Sequence, residues 1–283
     1  MKFTNRFGLP SPIVRAVCND GYSKGDADYS VTQLLKPPRI VALERAHWDE
    51  IEEDASDRIW ALLGQATHVI AERANEVEVA ERRLAIAVDG IIVSGGMDLY
   101  LSSTQTLLDY KVTSVWKAKM GIPPEWEQQL NLYAQILRQN GHPVKQLQVL
   151  AIFRDWSKLE ARRDGTYPQA QSMMFTIPLW ESEKALSFLK ERIALHEAAK
   201  FVLPECTGED RWAKADVYAV MKEGRKSAVK LHDSEESASK HVMELGANHY
   251  IQKRHGMNTR CEAYCNVAKF CDLFKRLKGD DNE

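Results

Sequence analysis

Two neighbouring strand-like segments carry acidic residues in an otherwise apolar context. Residues 97–101 contain Asp98, and residues 106–112 contain Asp109 and Lys111. Because residues two apart share one face of a strand, Asp109 and Lys111 point the same way, and a hairpin can bring Asp98 beside them. Charges in apolar strands need partners, and this is the only acid–x–lysine triplet in the sequence. Two carboxylates and an ammonium at a strand end predict a site for a divalent metal and the water that it activates.

Composition sets the class of protein. The chain has 283 residues, of which 44% are apolar and 28% charged, and it is long enough for one large domain with a small module. The formal net charge is −2, so nucleic-acid binding would have to come from local basic patches. No apolar run approaches the roughly 18 residues of a membrane span, and the first residues lack the pattern of a secretory signal. We therefore expect a cytoplasmic protein without a membrane partner, whose five cysteines are thiols or metal ligands.

The periodicity of the sequence predicts an α/β domain over residues 1–203 and a smaller module over residues 204–283. Residues 1–30, which contain prolines and glycines, predict an irregular arm. Ser30 predicts the N-cap of a short helix. The pair Asp89-Gly90 lies between two apolar segments and predicts a hairpin turn. In the smaller module, two strand patterns, a helix pattern and a last strand pattern predict a ββαβ order.

Four motifs follow one another over residues 29–153. They are Gly64 to His68, Gly-Gly-Met-Asp ending at Asp98, Asp-Tyr-Lys ending at Lys111, and Gln129-Leu-Asn-Leu-Tyr on the next helix. In order and spacing they resemble the PD-(D/E)XK nuclease superfamily, and within it the RecB-like branch. That branch includes phage recombination exonucleases and CRISPR-associated adaptation nucleases with a C-terminal cysteine cluster. The resemblance implies a restriction-endonuclease-like core, with a mixed central sheet flanked by helices.

The resemblance also implies a metal site. Asp98 and Asp109 would hold Mg²⁺ or Mn²⁺ together with the backbone carbonyl of Tyr110, and His68 would add a nitrogen ligand. The alternative for His68 is a structural histidine on an apolar helix. Glu81 is a further candidate that would reach the metal through water, and its alternative is a solvated position among other charged residues.

The same resemblance gives Lys111 a role in catalysis. Lys111 would orient or help to deprotonate the attacking water and would offset charge on the phosphate. Gln129 and Tyr133 lie four residues apart, hence on one face of a helix, and would position the scissile strand or the lysine. The alternative for Tyr133 is a place in the core.

The expected activity is metal-dependent hydrolysis of DNA phosphodiester bonds by an exonuclease of recombination, repair or phage replication. Its partners would be single-stranded or double-stranded DNA ends, with a separate helicase or single-strand annealing protein. If phage-encoded, it would work in the host cytoplasm. Two alternatives remain: a structure-specific endonuclease of the same superfamily, and a non-catalytic DNA-binding module on this fold.

Three closely spaced cysteines, Cys261, Cys265 and Cys271, predict a shared metal near the end of the chain. Iron–sulfur clusters and structural zinc both use four thiolates. The resemblance implies a 4Fe–4S cluster, with structural Zn²⁺ as the alternative.

The fourth cysteine ligand departs from the pattern of the family. In the RecB-like relatives it precedes an early Pro-Arg pair, but here that position is Lys36. We expect Cys206 instead, because it lies at the entry to the module whose exit carries the other three, and Cys18 is the alternative.

Basic and aromatic residues predict where DNA would bind. Trp116 and Trp126 lie close to the site in sequence, between Lys111 and Gln129, and would either stack on a base or belong to the core. The candidate phosphate contacts lie just after the motif and in a basic hairpin of the module: Lys117, Lys119, Lys222, Arg225 and Lys226.

Overall fold

The chain forms two units in a computed structural model that describes residues 1–19, 24–74 and 79–280, without the side chains of residues 79–82 and 280. The first unit comprises Met1–Ala42 and Asp49–Leu203, and the second comprises Leu43–Trp48 and Pro204–Glu283. The short segment Leu43–Trp48 is distant in sequence from the rest of its unit, so no local pattern could have assigned it there.

The first unit contains most of the regular structure. Its strands are β1 (Lys2–Thr4), β2 (Tyr29–Ser30), β3 (Glu52–Asp54), β4 (Val79–Val88), β5 (Ile91–Leu101), β6 (Thr106–Thr113), β7 (Gln146–Phe153) and β8 (Ser172–Ile177). The helices that begin in the first unit are α1 (Ser11–Cys18), α2 (Val31–Leu34), α3 (Pro38–Ala46), α4 (Ile59–Arg73), α5 (Val115–Lys119), α6 (Pro124–Gln139), α7 (Lys158–Arg163) and α8 (Ser182–Ala198).

Six strands form a mixed sheet, as the sequence predicts for an α/β core. β5 pairs with β4 and β6 in antiparallel fashion and with β2 in parallel, while β6 and β7 are parallel and β8 is antiparallel to β7. Helix α6 contacts strands β4 to β8 and packs against α8. The centre of α6 is fully buried because its residues face both the sheet and α8, for example Leu130 and Ile136.

Local chemistry fixes the turns and caps near the sheet. Asp89 and Gly90 have φ values of 48° and 84°, the left-handed conformations that a tight two-residue hairpin needs, so the predicted hairpin between β4 and β5 is confirmed. Ser30 caps α2, because its side chain accepts from the Gln33 N–H and the Gln33 side chain accepts from the Ser30 N–H. The predicted N-cap is therefore also confirmed.

The prediction of an irregular N-terminal arm is wrong. Residues 11–18 form α1, in which Pro12 occupies the first turn, where its missing N–H costs no helical hydrogen bond. Strand β1 pairs in parallel with β3, some fifty residues later. The buried carboxylate of Asp54 joins the two, accepting from Thr4 Oγ1 at 2.7 Å and from the Arg6 N–H at 2.8 Å.

The second unit contains the ββαβ order that the sequence predicts. Its sheet has the order β11, β10, β12, and α9 contacts all three strands. His232 and His241 lie side by side there, with His232 Nε2 2.9 Å from His241 Nδ1. The elements of this unit are β9 (Ala213–Lys214), β10 (Val217–Lys222), β11 (Lys230–His232), α9 (Glu235–Leu245), β12 (His249–Arg254), β13 (Met257–Asn258), α10 (Thr259–Ala263) and α11 (Asp272–Asp280).

Within the described residues, no helix combines the length and the apolar character needed to cross a membrane.

Candidate active site

The site lies where two ladders on one edge of β5 stop. β4 occupies the other edge along most of the strand, while β2 pairs at Val93 and Ser94 and β6 pairs from Leu99 to Leu101. The residues from Gly95 to Asp98 lie between these two ladders. The Asp98 Oδ2 atom accepts the Tyr110 N–H at 2.7 Å, so a carboxylate takes the place of a strand partner there.

Helix α4 brings His68 to the same carboxylate. His68 Nδ1 lies 3.0 Å from Asp98 Oδ1, and the imidazole meets the Tyr110 ring edge-on at 6.1 Å between centroids. The hydrogen bond to Asp98 outweighs the effect of burial and raises the pKa of His68. The structure therefore brings together the histidine of one predicted motif and the aspartate of another, thirty residues later in the chain.

Asp109 and Lys111 form an ion pair within β6. Lys111 Nζ lies 2.8 Å from Asp109 Oδ2, and the Asp109 side chain is 4% exposed. Burial raises the pKa of Asp109 to about 6; the charge of Lys111 opposes this rise, and the nearby charge of Asp98 adds to it. Burial also disfavours the Lys111 ammonium, but the charges of Asp109 and Asp98 outweigh burial and raise the pKa of Lys111. Each partner stabilises the charged form of the other, in a place where charges are costly unless paired.

Helix α6 extends this pair into a chain of hydrogen bonds. Lys111 Nζ donates to Gln129 Oε1, and Gln129 Nε2 donates to Tyr133 Oη, both at 2.9 Å. Tyr133 is buried and its ring lies directly over Gly95 of β5, where any side chain would collide with it. Lys111 thus contacts the predicted residue Gln129 directly and Tyr133 through Gln129. The role of Gly95, on which Tyr133 packs, was not indicated by the sequence.

The donor chemistry of the site fits a divalent cation. Asp109 Oδ2 is buried and, among the described residues, receives no hydrogen bond of good geometry although Lys111 Nζ is close. Two carboxylates and an imidazole are ligands that Mg²⁺ or Mn²⁺ accepts. In the arrangement described, however, His68 and Asp98 contact each other directly, and no three His, Cys, Asp or Glu side chains of the described residues are disposed to hold a metal ion. His68 Nδ1 would have to give up its proton, and with it the hydrogen bond to Asp98, to bind an ion.

Other predicted site residues fall in different places. The side chain of Glu81 lies outside the described residues. Lys117 is paired with Glu125 at 2.7 Å, and Lys119 is paired with Asp164 at 3.2 Å, both at the surface. Lysines held in such exposed pairs can exchange a carboxylate for a phosphate at little cost, since surface ion pairs contribute only about 0–1 kcal/mol.

The two candidate tryptophans, Trp116 and Trp126, differ in exposure. Trp126 is buried and meets Phe175 edge-on at 5.8 Å, so it belongs to the core. Trp116, on α5, is 66% exposed and is available for contact. The sequence did not single out Trp60 of α4, which is also exposed and carries Arg154 over its ring.

The second unit holds the remaining predicted residues. Burial raises the pKa values of Cys261 and Cys265, and the neighbouring thiols, including Cys271, raise them further, so the three are within electrostatic reach of one another. No metal-holding group of cysteines appears among the described residues. Cys206 belongs to this unit and Cys18 to the first. The predicted phosphate contacts of the module lie at the exposed turn between β10 and β11: Lys222, Arg225 and Lys226.

Comparison with known proteins gives distant structural matches only. No family model matches the chain, and no curated protein matches it. The crystal structure of SSO0001 is similar over 65% of this chain and 82% of its own, at 16% identity and a TM-score of 0.44. A phage-related exonuclease from Haemophilus somnus 129PT matches over 66% and 77%, at 12% identity and a TM-score of 0.30. The alkaline exonuclease LHK-Exo from Laribacter hongkongensis matches over 60% and 88%, at 15% identity and a TM-score of 0.32. Likeness at this level does not establish a common fold or a common activity.

Proposed function

We propose that this protein is a metal-dependent DNA nuclease with a PD-(D/E)XK core of the RecB-like branch, acting as an exonuclease on DNA ends. One observation carries the proposal: an ion pair between the buried Asp109 and the partly buried Lys111 continues into Gln129 on one side and lies within electrostatic reach of Asp98 on the other. Buried, coupled charges in a strand interior are expensive for stability. Such groups cluster at functional sites more often than elsewhere.

The residues would divide the work as follows. Asp98, Asp109 and His68 would hold the Mg²⁺ or Mn²⁺ ion, with the Tyr110 carbonyl as a further ligand. A divalent metal bound there supplies a water of lowered pKa and stabilises charge on the phosphate. The neighbouring carboxylates raise the pKa of Lys111, which would orient or help to deprotonate the attacking water and would offset charge on the phosphate.

Gln129 and Tyr133 would act as positioning residues. Gln129 accepts from Lys111 and donates to Tyr133, so it restricts where the ammonium can point. Positioning of this kind matters because a displacement of about 1 Å at a reacting group can cost about 100-fold in rate.

Digestion of DNA with labelled ends tests the activity. We expect the wild-type protein to shorten linear single- or double-stranded DNA progressively with Mg²⁺ or Mn²⁺ and to stop when EDTA is added. A closed circular single strand should survive, because an exonuclease needs an end. Cleavage of the circle would instead indicate an endonuclease, and binding without cleavage of any substrate would indicate a non-catalytic module.

For the second unit we propose a metal held by Cys261, Cys265, Cys271 and Cys206, an iron–sulfur cluster in preference to zinc. Support comes from the mutual proximity of the first three thiols, and a bound cation would reverse the raised pKa values of Cys261 and Cys265. Protein purified without oxygen should be brown and contain iron; a colourless protein with stoichiometric zinc would favour the alternative metal. Cys206→Ser should lose the metal and the matched variant Cys18→Ser should keep it, and the reverse result would move the fourth ligand to Cys18.

A separate helicase or single-strand annealing protein remains the predicted partner in the cell. A pull-down with the intact chain in the presence and absence of DNA would test it.

A further inference from the structure

The exposed side chain of Trp60 and the guanidinium of Arg154 contact each other. The Arg154 backbone is hydrogen-bonded to the last residue of β6, the strand that carries Asp109 and Lys111. Trp60 lies in the first turn of α4 and is 58% exposed. The guanidinium of Arg154, in the turn after β7, lies over its ring at 4.7 Å from the centroid. Guanidinium groups within about 6 Å of an indole are attracted by its ring electrons. The arrangement holds a large aromatic surface in solvent in a defined orientation.

Two connections place this pair beside the candidate active site. Trp60 precedes His68 by eight residues on the same helix, which corresponds to about 12 Å along the helix axis. The Arg154 N–H donates to Thr113 O at 2.9 Å, and Thr113 follows Lys111 by two residues in β6, or about 7 Å. Helix α4 also packs against β6. The Arg154 backbone is therefore bonded to β6 two residues beyond Lys111, and Trp60 lies on the helix that carries His68.

A second exposed indole belongs to the same end of the sheet. The Val115 N–H donates to Asp155 Oδ1 at 2.8 Å, and Asp155 immediately follows Arg154. Trp116, next to Val115, is 66% exposed. Trp116 and Arg154 thus lie on segments that are hydrogen-bonded to each other where β6 and β7 end, and Trp60 joins them through its contact with the Arg154 guanidinium.

We propose that Trp60 and Arg154 form a binding platform for a base of single-stranded DNA next to the scissile phosphate. The platform rests on the proposed nuclease function and specifies its substrate as an unpaired strand. A flat aromatic face with an adjacent cation matches a base joined to a phosphate, because the base stacks on the ring and the guanidinium attracts the backbone. Stacking accepts every base, so the platform would impose no sequence preference.

Fluorescence anisotropy with EDTA present measures this binding without cleavage. The probes are fluorescein-labelled oligothymidylate and an oligomer of equal length and charge whose bases are replaced by abasic sites. For Trp60→Ala we expect the Kd for oligothymidylate to rise about 5- to 150-fold, as for loss of one stacked base. The Kd for the abasic oligomer should stay as in the wild type. Trp60→Phe, which keeps a ring, should recover most of the affinity.

The control is Trp48→Ala, which removes a similarly exposed tryptophan (54%) from the second unit. It should leave both Kd values unchanged. Equal affinities of Trp60→Ala and wild type for oligothymidylate would overturn the platform. So would an equal loss on both probes, because that loss would report a change in backbone binding.

The same variants separate this inference from the proposed function. A wild-type protein that cleaves DNA, with Trp60→Ala as active and as tightly bound, refutes the platform alone. A wild-type protein that binds through Trp60 but never cleaves refutes the nuclease and retains the platform. Failure of the wild type to bind any oligonucleotide refutes both.

Discussion

Gly95→Ala is expected to disturb the candidate active site by displacing Tyr133, which packs on Gly95. A Cβ at position 95 would lie 2.7 Å from Tyr133 Cδ1, 2.9 Å from Tyr133 Cε1 and 3.1 Å from Ile136 Cδ1. Because carbon atoms pack best at about 3.5–4.0 Å, the ring must move by about 0.8 Å or more. Tyr133 is 5% exposed and Ile136 is fully buried, so neither can move without pushing α6 from the sheet.

The magnitude follows from two opposing effects. Overpacking of a core by one methyl group costs about 1–3 kcal/mol. Loss of the glycine's freedom in the unfolded chain returns about 0.4–1 kcal/mol. The net loss in the free energy of unfolding therefore lies between about 0 and about 2.6 kcal/mol, and we expect the upper half of this range because the two shortest contacts are with a buried ring. The displaced Tyr133 hydroxyl would also shift Gln129 and with it Lys111, and we expect the rate of cleavage to fall by about 10- to 100-fold.

Urea unfolding and single-turnover cleavage measure the two effects, and the neighbouring glycine provides the control. A Cβ at Gly96 would meet only the guanidinium of Arg83, at 3.2 Å, which donates to Ser94 Oγ at the end of a long side chain, so Gly96→Ala should change both quantities less than Gly95→Ala does. Tyr133→Phe, which removes the hydrogen bond and keeps the packing, should lower the rate with a smaller loss of stability. If Gly95→Ala unfolds at the wild-type urea concentration and cleaves at the wild-type rate, the inference that Gly95 seats the catalytic chain is wrong.

Two further predictions concern stability. The Arg6 N–H and the Thr4 hydroxyl hold the pKa of Asp54 well below its usual range, so the ionised Asp54 stabilises the folded state fully above about pH 4 and loses this contribution as the pH falls further. The difference in Tm between wild type and Asp54→Asn should therefore narrow on acidification. A constant difference would contradict this. The Asn131 side chain is fully buried; it donates to Glu127 O and Pro178 O and accepts from the Trp180 N–H. Asn131→Ala should therefore lower the free energy of unfolding, measured in urea, by about 2–3 kcal/mol. A loss below about half a kcal/mol would show that water replaces the amide.

Local sequence predicted the elements whose determinants are local. The Asp89-Gly90 turn and the Ser30 cap depend on a few adjacent residues, and both occur as predicted. The expectation of an irregular arm fails because Pro12 lies in the first turn of α1, where a proline is compatible with the helix. The β1–β3 pairing could not be predicted, since it joins residues about fifty positions apart that have no shared pattern.

The candidate site was predictable in its residue types and less so in its contacts. Acid–x–lysine spacing on a strand indicated the Asp109–Lys111 pair, and helical spacing indicated Gln129 with Tyr133. Which glycine of the Gly95-Gly96 pair supports the tyrosine depends on how α6 crosses the sheet, and the sequence does not contain that geometry. The pairing of Trp60 with Arg154 joins residues on α4 and after β7, so it too emerged only in three dimensions.

The most direct test of the account compares two lysine variants in single-turnover cleavage of end-labelled DNA with Mg²⁺. Lys111→Ala removes the cation held by Asp109 and Gln129, while Lys190→Ala removes a lysine from an exposed pair with Asp89. We predict that Lys111→Ala lowers the rate by about 100- to 1,000-fold or more with DNA affinity nearly unchanged, and that Lys190→Ala cleaves as the wild type does. A folded Lys111→Ala protein that cleaves DNA at the wild-type rate would contradict the assignment of this site as the catalytic centre.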